Sequence, residues 1–271
     1  MSIVKPFLRW AGGKNWLVNR IEEYLPVNFN NYYEPFLGGG SIYFYLKSRG
    51  HIQNHAFLSD LNTDLIETFN LIKTHPNEVI ERLLLTKNEK EFYYNIRSEE
   101  FEDPIDKAVK FLYLNRTSFN GIYRVNMKGE YNVPFGNRNL AKIFDIDNLH
   151  LGSGLLSGAT LHGMDFMETL PTIKKGDLIF LDPPYTVAHE NNGFVKYNQQ
   201  IFAWEDQVRL QEYIQQLIKL KAYFIMTNAA HESIENLYSN IGKYAKLKRP
   251  SLIGGKGAKR TEYNEFIFTN I

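Results

Sequence analysis

The 271-residue sequence contains no cysteine. That excludes disulfides, thiolate zinc sites and iron–sulfur clusters, and any reaction through a cysteine nucleophile. No apolar run approaches the ~18 residues of a membrane-spanning helix, so no membrane contact is expected. The seven histidines (51, 55, 75, 150, 162, 189 and 231) show no metal-ligand spacing, and no metal site is expected. The stretch from Met1 to Trp10 lacks the charged, apolar and small-residue regions of a secretory signal, so a cytoplasmic location is expected. Net charge is also small, at +1, which by itself does not point to a nucleic-acid partner.

Apolar residues make up 44% of the chain, enough to bury a substantial core. The length fits one large domain, or a core domain carrying an insertion. The charges are unevenly placed. Lys246, Lys248, Arg249, Lys256, Lys259 and Arg260 lie together with no acid among them. Arg116, Arg124, Lys128, Arg138 and Lys142 share a stretch in which Glu130 is the only acid. Two such stretches fit a face prepared for phosphates, and equally two solvated loops.

Short apolar runs alternate with helical patterns, which predicts an α/β layer structure with a mostly parallel sheet. Strands are expected at 31–36, 55–59, 160–163, 177–181 and 222–227. Two further β-rich stretches, 244–248 and 263–269, read as an edge hairpin around the loop 251–260. Helices are expected at 41–49, 205–221 and 234–241, and after Lys14 with Leu17, Ile21, Tyr24 and Leu25 in period. In the second of these, Leu210, Ile214, Leu217 and Ile218 form one stripe. The interval 61–155 breaks the rhythm. It opens as a helix with Leu65, Ile66, Phe69 and Ile72 in period and continues as an exposed loop, 115–138, rich in Asn, Gly, Arg and aromatics.

Asp182-Pro183-Pro184-Tyr185 follows the apolar run Leu178-Ile179-Phe180-Leu181. Ligands of open α/β sheets bind beyond the carboxyl ends of strands. Two prolines force a stiff extended exit from the strand. The product is a platform with one carboxylate, one carbonyl and one aromatic ring, suited to a planar base bearing an amino group. Read alone, it is equally a strand-ending turn. Glu34-Pro35-Phe36-Leu37-Gly38-Gly39-Gly40-Ser41 lies between a strand and a helix, where glycines admit close approach of backbone to ligand. Asp60 ends the next strand roughly 20 residues on, where an acid commonly binds ribose hydroxyls. Arg9-Trp10-Ala11-Gly12-Gly13-Lys14 offers an indole face and an ammonium beside a glycine pair.

These segments, with Ser59-Asp60-Leu61-Asn62, Asn120-Gly121-Ile122-Tyr123-Arg124 and Gly129-Glu130-Tyr131-Asn132-Val133-Pro134-Phe135-Gly136, stand in the order found in the Dam family of DNA adenine-N6 methyltransferases. The sequence resembles that family from Pro6 to Asn270. The resemblance implies a Rossmann-like methyltransferase fold: a mostly parallel seven-stranded sheet with an antiparallel edge hairpin, and an inserted, mainly helical target-recognition domain. It implies a catalytic domain of residues 1–60 and 156–271 and a recognition domain of 61–155. The cofactor implied is S-adenosylmethionine, held by Trp10, Lys14, Glu34, Pro35, Phe36, Gly38, Gly40, Asp60, Asp165, Phe166 and Asp182. Asp182, Pro183, Pro184 and Tyr185 are the implied catalytic residues. Double-stranded DNA is the implied partner of a monomer, through Arg9, Arg116, Phe119, Asn120, Ile122, Arg124, Asn132, Arg138, Lys256, Lys259 and Arg260. Arg124 matches a guanine-reading arginine, and the implied target is GATC. Two positions depart from the family pattern: Arg9 stands where Lys is common, and Asn137-Arg138 where Arg-Tyr is usual.

The absence of cysteine excludes methylation at cytosine C5, which needs a thiolate. Methylation of cytosine N4 by similar platform chemistry stays open, as do a DNA-binding protein without catalysis and a nicotinamide-dependent oxidoreductase.

Overall fold

Leu178, Ile179, Phe180 and Leu181 leave no polar side to their strand, which is stable only with both faces covered. All four are buried. In a computed structural model, which describes residues 3–126, 129–140, 142–187, 202–250 and 262–271, this strand is part of a seven-stranded sheet. The strands are β1 (Tyr32–Glu34), β2 (Ala56–Asp60), β3 (Ala159–Gly163), β4 (Leu178–Leu181), β5 (Tyr223–Ala229), β6 (Lys243–Pro250) and β7 (Glu262–Thr269), in the order β3-β2-β1-β4-β5-β7-β6. β1 and β5 flank β4 in parallel, whereas β7 runs antiparallel to β5 and β6 to β7. The expected Rossmann-like sheet with an antiparallel hairpin at its edge is the one observed. The loop 251–260, with Lys256, Lys259 and Arg260, lies outside the described residues.

Register fixes what stands at the end of the parallel strands. Ile179 pairs with Tyr33 on one side and with Phe224 on the other. Asp182 and Thr227 each follow their paired residues by three positions, so the register of β4 and β5 sets them side by side at the carboxyl edge, while Phe36 lies two residues beyond the end of β1.

The chain packs as two compact units. One comprises Trp16–Phe36, Asn54–Phe57 and Asp165–Ile271. Its core joins Tyr33, Phe166, Ile179, Leu181, Phe224 and Phe268 with Leu210, Ile214 and Leu217 of the helix Trp204–Lys219. Ile218, expected on that stripe, is exposed. The residues from Leu17 to Leu25 do not form the expected α-helix. They make turns and a short 3-10 helix, Ile21–Tyr24. Pro26 lacks an N–H and pushes Leu25 to extended backbone, so the periodic apolar residues have no room for further turns.

The other unit comprises Met1–Asn15, Leu37–Gln53 and Leu58–Met164. Six α-helices lie among its described residues: α1 (Ser41–Ser48), α2 (Thr63–Thr74), α3 (Pro76–Leu84), α4 (Lys90–Ser98), α5 (Pro104–Thr117) and α6 (Ile146–Leu156). Asn62 caps α2 by accepting from the Leu65 N–H at 2.9 Å, and Leu65, Ile66, Phe69 and Ile72 are buried as their spacing predicts. Asp103 caps α5 with Pro104 behind it, the preferred pairing of cap and first helical residue. After α5 the chain folds back on itself. Phe119 N–H donates to Pro134 O at 2.8 Å and Asn132 N–H to Arg124 O at 3.2 Å, giving a two-armed hairpin over 118–136.

Candidate active site

At the end of β4 the two prolines take the chain out of the sheet without further pairing. Pro183 is buried, while Asp182, Pro184 and Tyr185 are partly exposed. Three side chains from other elements hold this loop. Thr227, on β5, donates its hydroxyl to Asp182 Oδ1 at 2.7 Å. Tyr185 donates its hydroxyl to Oε2 of the buried Glu265, on β7, at 2.6 Å. Gln207 donates to Thr186 Oγ1 at 2.6 Å, and its own Oε1 accepts from Asn228 and Tyr238 at 3.1 and 2.7 Å. Buried polar groups paired this way are rigid, because each lost partner carries a desolvation cost. None of Thr227, Gln207 or Glu265 was singled out from sequence. The one available signal was the pair Thr227-Asn228 inside an otherwise apolar strand.

At the end of β1, Glu34 and Pro35 are buried, and Glu34 accepts the Tyr32 hydroxyl at 2.7 Å. Phe36 packs on Phe166 at 5.3 Å and edge-on to Phe202 at 5.7 Å. Asp165 caps the 3-10 helix Phe166–Thr172 in a capping box with Glu168. Arg209 pairs with Asp165 at 2.7 Å and lies over the Phe166 ring at 5.0 Å, an arrangement the sequence reading missed.

In the other unit, Gly38 has φ +48°, and a Cβ there would meet Trp10 Cδ1 at 2.7 Å. Its N–H donates to Asp60 Oδ2 at 2.9 Å, and Asn62 N–H to Asp60 Oδ1 at 3.0 Å. Burial pushes the Asp60 pKa above the ordinary aspartate value, against the lowering effect of backbone N–H groups from Asn62, Gly38 and Leu61. Lys14 is buried, with Nζ donating to Gly12 O at 2.8 Å. Gly40 has φ +69° and precedes α1 as its N-cap.

Trp10 also stacks on Tyr123 at 5.4 Å and on Phe111 at 6.4 Å. Next to it, Arg9 is clamped from α5. Its N–H donates to Asn115 Oδ1 at 2.8 Å, and its carbonyl accepts from Asn115 Nδ2 at 2.7 Å. The Arg9 side chain is exposed and runs beside Gly121, where a Cβ would lie 2.3 Å from Arg9 Cδ. Phe119, Asn120 and Arg124 are exposed, Ile122 and Asn132 half-buried. Asn120 takes a left-handed conformation at φ 56°. Arg124 Nε donates to Asn132 Oδ1 at 2.8 Å.

Two other arginines of this region are tied to backbone. Arg116 Nε donates to Ile143 O at 2.6 Å, and Arg138 Nη2 to Arg116 O at 2.5 Å. Arg9 and Arg138 have pKa values lowered first by partial desolvation of their guanidinium groups and then by neighbouring arginines, Arg138 and Arg116 acting on Arg9 and Arg116 on Arg138. Three guanidinium groups therefore share one field.

Among the described residues no helix is long and apolar enough to cross a membrane. The chain belongs to the D12 class N6 adenine-specific DNA methyltransferase family, which it matches over residues 10–252. It is 33% identical to the type II methyltransferase M1.LlaDCHI of Lactococcus lactis subsp. cremoris, over 98% of this chain and 95% of that protein. It is 34% identical to the type II methyltransferase M.MjaIII of Methanocaldococcus jannaschii, over 96% of each. The DNA adenine methylase of Salmonella typhimurium is 30% identical over 97% of this chain and 94% of its own length.

Proposed function

We propose that this enzyme methylates N6 of an adenine flipped out of double-stranded DNA, within GATC, using S-adenosylmethionine. The observation that carries the reading is the rigid platform at the end of β4, where the Thr227 hydroxyl donates to Asp182 Oδ1. A base inside a duplex cannot present its amino group to such a loop and must leave the stack. The adenine amino nitrogen is a weak nucleophile, because its lone pair is delocalised into the ring. Donating one N–H to the Asp182 carboxylate and the other to the Pro183 carbonyl draws that nitrogen toward tetrahedral geometry. Pro184, without an N–H, keeps the loop extended. The Tyr185 ring, tethered through its hydroxyl, stacks on the base.

The cofactor supplies a methyl group on a cationic sulfur. Its proposed ligands are Trp10, Lys14, Gly38, Gly40 and Asp60, with Glu34, Pro35, Phe36, Asp165, Phe166 and Asp182. Two features support the fit: a backbone turn at Gly38 with no space for a side chain, and the Asp60 carboxylate fixed by backbone N–H groups as an acceptor for ribose hydroxyls.

DNA is read by the hairpin residues Phe119, Asn120, Ile122, Arg124 and Asn132, with Arg9 beside them. Arg116 and Arg138 add positive charge at its base, and Lys256, Lys259 and Arg260 meet phosphates. Residues 61–155 form the recognition domain, and 1–60 with 156–271 the catalytic one. The enzyme acts as a cytoplasmic monomer.

The test is methyl transfer by purified Asp182→Ala. Transfer is abolished while DNA binding, dominated by phosphates, survives. Near-normal turnover would refute the platform. Sequencing DNA from cells expressing the chain, with detection of N6-methyladenine in context, settles base and target together.

A further inference from the structure

We propose that Thr227 is a positioning residue for the reaction, fixing which oxygen of Asp182 faces the target amino group. The inference rests on the reading of Asp182 as an acceptor for that amino group.

Thr227 lies in β5 among Ile225, Met226, Asn228 and Ala229, all buried, and is itself fully buried. A hydroxyl so placed needs a partner. An ionised carboxylate only accepts, so the 2.7 Å contact is a donation from Thr227 Oγ1 to Asp182 Oδ1, in the length range of charge-assisted bonds.

The terminal torsion of an aspartate is broad and nearly two-fold, so by itself the carboxylate presents either oxygen over a range of angles. The platform chemistry needs one oxygen at one angle. Thr227 removes that freedom from a strand, not from the loop: β4 and β5 are paired in parallel with Leu181 opposite Met226, which sets Asp182 beside Thr227. A group held by sheet register keeps its geometry whatever the following loop does. The next residue, Asn228, braces the loop from behind through Gln207 and Thr186. The two adjacent polar residues of β5 thus divide the work, one on the carboxylate and one on the loop.

The test uses the purified full chain, unmethylated plasmid DNA and S-adenosylmethionine labelled in its methyl group. Single-turnover rates and dissociation constants for cofactor and DNA are measured for Thr227→Val, Thr227→Ser and Asp182→Ala. Thr227→Val keeps the shape and removes the donor. It lowers the transfer rate roughly tenfold to a hundredfold, as misplacing a reacting partner does, with the DNA dissociation constant unchanged and that of the cofactor, for which Asp182 is also a proposed ligand, moving far less than the rate. Thr227→Ser restores the donor and recovers most of the rate.

A normal rate in Thr227→Val beside an inactive Asp182→Ala overturns this proposal and leaves the platform intact. Equal losses in Thr227→Val and Thr227→Ser, or losses that track weakened cofactor binding or a lowered Tm, make Thr227 merely structural and also overturn it. An active Asp182→Ala removes the reading beneath it.

Discussion

Arg124 donates its Nε–H to the side-chain carbonyl of Asn132, 2.8 Å away across the arms of the 118–136 hairpin. The bond sets the plane of the guanidinium, and a bidentate contact to guanine depends on that plane. Arg124→Ala is expected to lose about 1–3 kcal/mol of discrimination at one outer base pair of the target while adenine methylation continues. Asn132→Ala is expected to relax the same position by less. The check is the methylation rate on the preferred site against each single-base variant. A uniform fall on every sequence would show that the pair only holds backbone.

The raised pKa of Asp60 gives its proposed role in cofactor binding a pH test. Its pKa is raised by burial, so the ionised form opposes folding at neutral pH. The stability of the neutral form is complete below the unfolded pKa and lost as pH rises through the folded one. Ribose hydroxyls need the ionised acceptor, so affinity runs the other way and falls as pH drops through the raised pKa. Calorimetry from about pH 8 downward should show S-adenosylmethionine binding weakening above the ordinary aspartate value of about 3.9. Asp60→Ala should bind about 1–3 kcal/mol more weakly at neutral pH and lose this slope. An unchanged dissociation constant in folded Asp60→Ala would place the ribose elsewhere.

Gly38→Ala tests the turn behind Trp10. The added Cβ must find room 2.7 Å from the indole at a φ of +48°, which costs on the order of 1–3 kcal/mol. Urea unfolding should register that loss, and cofactor affinity should fall with it as Trp10 is displaced. A variant of normal stability and affinity would mean that the indole moves aside freely.

Tyr185→Phe keeps the ring and removes the hydroxyl that Glu265 accepts. Taking one donor from a buried carboxylate should lower stability by about 1–3 kcal/mol. Base stacking survives, so transfer should fall far less than in Asp182→Ala. Unfolding midpoints and single-turnover rates on one preparation separate the two effects.

The sheet was legible in the sequence wherever a strand is apolar throughout, as in Leu178–Leu181, or ends at a distinctive residue, as at Asp60. Helix α2 was legible because Leu65, Ile66, Phe69 and Ile72 repeat with its period and Asn62 caps it. The segment Leu17–Leu25 misled because periodicity says nothing of where a proline will stop the turns. The platform motif is contiguous and was visible, whereas its supports come from β5, the helix Trp204–Lys219 and β7, up to 80 positions away. Arg116 and Arg138 show a further limit. Composition marks them as cations, but only the fold shows one nitrogen of each, Arg116 Nε and Arg138 Nη2, engaged on backbone carbonyls.

The clamp of Asn115 on Arg9 and the stack of Tyr123 on Trp10 bear on how recognition passes between relatives. The first residues of the chain pack in the same unit as 58–164. A chimera exchanging only 61–155 would set a foreign Tyr123 and Asn115 against a native Arg9 and Trp10. If residues 61–155 carry the recognition proposed above, these two stretches, more than a hundred residues apart, have to be exchanged together for a chimera to keep their contacts.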